Sequence, residues 1–139
     1  MIKVEKNSVI NIDDERVSIN NVDMVYCNDN NITITTANGN HTVKFKTHEE
    51  ARKEFEVLTQ NLLQNPNIFK VDGNIFVNIA NLKRTEVNSI PTDDGKKEHI
   101  MVLRFKTDAP AVECGSREEM LELAYKINAE LTKKNNVGV

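Results

Sequence analysis

One pattern is spelled twice along this chain, and an internal duplication constrains the fold more than any other feature of a sequence. Val17-Ser-Ile-Asn-Asn21-Val22 lines up with Val77-Asn-Ile-Ala-Asn81-Leu82 at an offset of 60. Further on, Ile32-Thr-Ile34 matches Met101-Val-Leu103, Val43-Lys-Phe45 matches Val112-Glu-Cys114, and Thr47-His-Glu-Glu50 matches Ser116-Arg-Glu-Glu119, all at an offset of 69. The second copy therefore carries nine extra residues. They fall within 88–98, where Ile90-Pro-Thr-Asp-Asp-Gly-Lys-Lys reads as an exposed loop. The copies span about 8–64 and 67–134, and the joint Gln64-Asn-Pro66-Asn is too short for a free linker. The expectation is one domain over 1–139 built of two repeats.

Each copy has the same local grammar. A short apolar segment (9–12; 68–71) meets a turn rich in Asp, Gly or Asn and then a β-branched segment (16–19; 75–79), which together make a hairpin. Segments 23–27 and 83–87 fit third strands or edges. Alternating runs 32–36 and 41–46 flank Ala37-Asn38-Gly39-Asn40, a hairpin signal, and Thr107-Asp-Ala-Pro110 takes that turn in the second copy. Thr47 with Glu50, and Ser116 with Glu119, stand in capping-box spacing and announce a helix at the end of each copy. Ala51, Phe55, Leu58 and Leu62 form the apolar stripe of the first helix; Met120, Ala124, Ile127 and Leu131 form that of the second. Small and large residues are exchanged between Ala51 and Met120 and between Phe55 and Ala124, as in copies packed about a pseudo-two-fold axis. The fold class is α+β: two ββββα pseudo-repeats in mostly antiparallel sheet, covered by two helices. Phe45 and Leu103 join the stripe residues in the expected core.

Candidate chemistry is sparse. Cys27 and Cys114 stand where the sister copy has Val87 and Phe45, so they read as small core hydrophobes, and two cysteines suit a reduced compartment. His41, His48 and His99 show no metal-ligand spacing. Asp93-Asp94-Gly95 lacks the alternating oxygen ligands and closing Glu of a calcium loop. No glycine pattern cradles a nucleotide phosphate. The pairs Glu49-Glu50 and Glu118-Glu119 are explained by the preference of helix starts for negative charge. We expect no enzyme, no cofactor, no metal and no catalytic residue. With 21 acidic against 18 basic residues the chain has no polyanion-binding tail, and no run approaches a membrane span. No signal-peptide pattern opens the sequence, so the expected location is the cytoplasm of a bacterial host cell, or a virion for a phage protein.

Two surfaces stand out. Lys44 and Lys46 alternate with Val43 and Phe45, Arg104 and Lys106 alternate with Leu103 and Phe105, and Lys83-Arg84 extends this candidate nucleic-acid face. On the second helix Leu121, Leu123 and Tyr125 replace Arg52, Glu54 and Glu56 of the first, and an apolar cluster outside the core stripe marks a candidate oligomer interface. Strands followed by a helix, given twice, resemble the PUR-repeat proteins, and that resemblance implies one compact domain binding single-stranded nucleic acid. Ile19-Asn-Asn-Val-Asp-Met-Val-Tyr, Ile32-Thr-Ile-Thr-Thr-Ala-Asn-Gly and Val43-Lys-Phe-Lys-Thr-His-Glu-Glu-Ala are similar to small strand-rich proteins of the flagellar FlbD type and of phages. Nineteen Asn fit an AT-rich source such as a phage or mobile element. The functional expectation is a non-enzymatic binding or assembly module, an accessory protein that self-associates and contacts an unidentified protein partner. The alternative is a single-stranded DNA or RNA binder of PUR-like architecture.

Overall fold

The computed structural model describes residues 2–5 and 9–137; residue 8, where the first copy is expected to open, lies outside them. Among the described residues the chain is α+β, with three antiparallel sheets and two helices, and it divides into two compact units, Met1–Asn81 and Leu82–Val139.

In the first unit β1 (Ile2–Glu5), β2 (Val9–Ile12) and β3 (Glu15–Ser18) form an antiparallel sheet in that order. The Ser18 hydroxyl accepts the Asn20 N–H at 3.3 Å and starts a 3-10 turn, Ile19–Asn21. A meander follows, of β4 (Val22–Asn28), β5 (Asn31–Thr36) and β6 (Gly39–Lys44). Asn38-Gly39 makes its second turn: Gly39 sits at φ +125°, open only to a residue without Cβ, and its carbonyl accepts the Thr36 hydroxyl. Helix α1 (His48–Leu62) starts where Thr47 Oγ1 accepts the Glu50 N–H at 3.1 Å. Its stripe of Ala51, Phe55, Leu58 and Leu62 is buried, with the Phe55 ring edge-on to Phe76 at 5.6 Å.

Hairpin β7 (Ile68–Asp72) and β8 (Ile75–Asn78) does not stay with the second copy. β8 pairs with β4, and the five-stranded sheet runs β6-β5-β4-β8-β7. The matched segments meet at this seam, where Asn78 Nδ2 donates to the Ile19 carbonyl and Asn81 Nδ2 donates to the carbonyls of Asn20 and Val22. These amides add acceptor partners around the 3-10 turn, whose Ile19 carbonyl also takes the Val22 N–H. The sheets thus do not reproduce two separate copies, and each helix follows five strands counted from β2 and from β7, not four.

The second unit holds β9 (Leu82–Pro91), β10 (Lys97–Phe105) and β11 (Ala111–Cys114), in sheet order β11-β10-β9, and helix α2 (Arg117–Val137). Ser116 Oγ accepts the Glu119 N–H as the N-cap, and Glu119 Oε2 reaches back one residue beyond the cap to accept the Gly115 N–H. Met120, Ala124, Ile127 and Leu131 are buried as their spacing predicts, as are Met101, Leu103 and Phe105. Phe45 is only half-buried because it lies just past the end of β6. The stretch 88–98 is not a loop throughout: it lengthens β9 and β10 past the end of β11 into a two-stranded ribbon with Lys97 opposite Pro91 and Glu98 opposite Ile90.

Candidate interaction surface

Unit two has an asymmetric sheet. β11 closes one side of β10 over 99–102, whereas β9 is the other edge, ten residues long and paired only with β10 among the described residues. Among the described residues no backbone hydrogen bond reaches its outer side, so a row of N–H and C=O groups stands open. At its start the register passes from Arg84 opposite Arg104 to Leu82 opposite Phe105, and Lys83 is the extra residue of a bulge.

Helix α2 covers one face of this sheet and associates most closely with β9. Thr85 of β9 donates its hydroxyl hydrogen bond to Asn128 Oδ1 at 3.0 Å. That bond orients the helix. Residues 121, 125 and 128 recur at spacings of four and three, so Leu121 and Tyr125 share the Asn128 flank and lie toward the β9 edge. Leu121 is 39% exposed and Tyr125 76% exposed. Leu123, expected in the same cluster, is 6% exposed and lies on the core face. Its position is one turn from Met120 and from Ile127, so the buried stripe is wider than four residues. Val87 and Ile90 of β9 are also exposed, at 39% and 45%.

The opposite face of β9 carries charge. Arg84 and Arg104 are direct cross-strand neighbours, and both donate to Glu86: Arg104 Nε to Oε2 at 2.7 Å and Arg84 Nε to Oε1 at 3.3 Å. Two guanidinium groups would repel if unpaired, and the carboxylate between them removes that cost. The hydrogen bond from Arg104 chiefly holds the Glu86 carboxyl below the usual carboxylate range.

The six cations of the expected nucleic-acid face are divided between the units. Exposed Lys44 and Lys46 belong to the first; exposed Lys83, Arg84 and Lys106 and half-buried Arg104 belong to the second. Arg84 and Arg104 are engaged by Glu86, a partner that strand alternation alone does not reveal. Tyr125 is the one aromatic among the exposed large apolar side chains of the described residues, and in the first unit half-buried Tyr26, in register with Thr33 and Thr42, shares the sheet face of Lys44.

The remaining candidates occupy structural places. Cys27 and Cys114 are both buried. His41 Nδ1 lies 2.8 Å from Glu15, His48 Nδ1 2.7 Å from the Asp29 carbonyl, and His99 Nδ1 2.9 Å from the Ser89 hydroxyl. No three His, Cys, Asp or Glu converge among the described residues. Asp94 turns the ribbon instead: its carboxylate accepts the Thr92 hydroxyl and the Lys96 N–H, with Gly95 at φ +80°. The Thr92 hydrogen bond holds that carboxyl low. A shallow cavity of about 290 Å³ is lined by 104–109. Both Asp108 carboxylate oxygens are shielded from solvent there without a hydrogen-bond partner.

The sequence places a third strand or edge at 83–87 but not its continuation to Pro91, because 88–91 fall in the stretch that reads as a loop. The nine extra residues were the available signal, since only the second copy has them. No family model and no curated protein matches the sequence. Among solved structures, the chain is similar to the LytTr DNA-binding domain of a putative methyl-accepting/DNA response regulator from Bacillus cereus, at 15% identity and a TM-score of 0.45, over 90% of this chain and 96% of that one. No helix of the described residues is long and apolar enough to cross a membrane.

Proposed function

We propose that this chain is a non-enzymatic binding and assembly module that acts through protein–protein contacts and self-association. The observation that carries the reading is the coincidence, on one side of the second unit, of an open ten-residue strand edge and an exposed apolar helix flank, Leu121 and Tyr125. Backbone groups on an edge supply affinity to any added strand, and apolar side chains beside it supply area to bury. Natural edges of this length are usually blunted by charge, Pro or a bulge. Here Pro91 and the Lys83 bulge blunt the two ends and leave the middle open.

The nucleic-acid alternative draws on the exposed cations but must contend with Glu86 between Arg84 and Arg104, so protein contact is the better-supported reading. Sedimentation velocity across a concentration series tests it. Wild type is expected to shift toward a dimer in the micromolar range, and Leu121→Glu/Tyr125→Glu to stay monomeric. A wild type that is monomeric at every concentration would end the reading. Salt-sensitive retention of a labelled single-stranded oligonucleotide by the monomer would favour the alternative.

A further inference from the structure

Resting on that reading, we infer that the partner on the open side is a second copy of this chain, added antiparallel along β9 about a two-fold axis through Thr85, so that the two second-unit sheets become one six-stranded sheet. Charge complementarity selects the register. In a two-fold antiparallel pair centred on residue 85, residue 84 of each copy faces residue 86 of the other. Arg84 then stands against the second copy's Glu86, twice over. A pair centred on residue 86 would set Glu86 against Glu86, and one centred on residue 84 would set Arg84 against Arg84. Like charges directly opposite on a sheet are destabilising, and opposite charges are stabilising.

The same register agrees with what lies on the other face. Thr85 carries the hydrogen bond to Asn128 and so places the Leu121 and Tyr125 flank of α2 beside the axis. Two copies of that flank meet over the seam, where Val87 of each copy stands opposite Lys83, the bulged residue whose stem can lie along apolar surface. Glu86 would then hold Arg104 and Arg84 of its own chain and Arg84 of the other. Self-pairing uses the edge once in a closed pair and leaves no open strand for further addition at β9.

Mixing two charge variants tests this. Arg84→Glu gives each copy Glu at both positions, and Glu86→Arg gives each copy Arg at both. Each variant alone is expected to dimerise roughly tenfold or more weakly than wild type, because each faces itself with two like-charge pairs. An equimolar mixture is expected to form the heterodimer at close to wild-type affinity, read by sedimentation with one variant fluorescently labelled. Thermal unfolding of each variant monitors that it is folded, and Thr85→Cys, expected to form an intermolecular disulfide under mild oxidation, provides a reading that needs no charge change. Dimers whose affinity ignores both single reversals, or a mixture that gains nothing, overturn the β9 seam while leaving self-association standing. A wild type with no dimer at all overturns self-association itself.

Discussion

Phe55 gathers several contacts of the first unit: its ring is edge-on to Phe76, the Arg52 guanidinium lies 5.4 Å over it, and the Thr59 hydroxyl donates back to its carbonyl. Phe55→Ala removes a fully buried ring and is expected to cost about 3–5 kcal/mol, read as a lowered midpoint in denaturant unfolding. Asp108 is the opposite case. Its shielded carboxylate oxygens have no partner, so Asp108→Ala is expected to stabilise the protein by about 1 kcal/mol rather than destabilise it. Glu86 predicts a pH dependence. Because its folded carboxyl titrates below its unfolded range, it stabilises the folded state above that range, and the contribution is lost as pH falls through the folded value. The difference in melting temperature between wild type and Glu86→Gln should therefore be largest near neutrality and shrink in acid. A difference that grows on acidification would contradict the Arg84–Glu86–Arg104 bonding.

At the scale of elements, helix starts and stripes were legible because they are local. Thr47 and Ser116 cap where their spacing to Glu50 and Glu119 places them, and Thr47→Ala is expected to cost about 1 kcal/mol by leaving the Glu50 N–H without its acceptor. Alternation likewise placed Leu103 inward and Arg104 outward. Pairing between distant strands is not local. Nothing in Ile68–Asp72 or Ile75–Asn78 distinguishes joining β4 from joining β9, and the contacts that decide it, Asn78 to Ile19 and Asn81 to Asn20, span about sixty residues. The candidate site divided in the same way. Exposure of Leu121 and Tyr125 followed from helical spacing, but Leu123 was misplaced because a stripe of four does not set the width of the buried face. Glu86 was overlooked because its role depends on the register that puts Arg84 opposite Arg104.

At the scale of the whole molecule, the second unit is about sixty residues, a size at which a sheet edge left open is a conspicuous share of the surface. Self-association through β9 would cover that edge, while α1, whose flank carries Arg52, Glu54 and Glu56 at the corresponding positions, stays in water. Concentration-dependent hydrogen exchange followed by peptide mass spectrometry tests this most directly, because it reports on the edge amides themselves. The account predicts that a peptide covering 82–91 exchanges more slowly as protein concentration rises through the dimerisation range, while one covering 48–62 is unchanged. Exchange in 82–91 that is the same in monomer and dimer would contradict it.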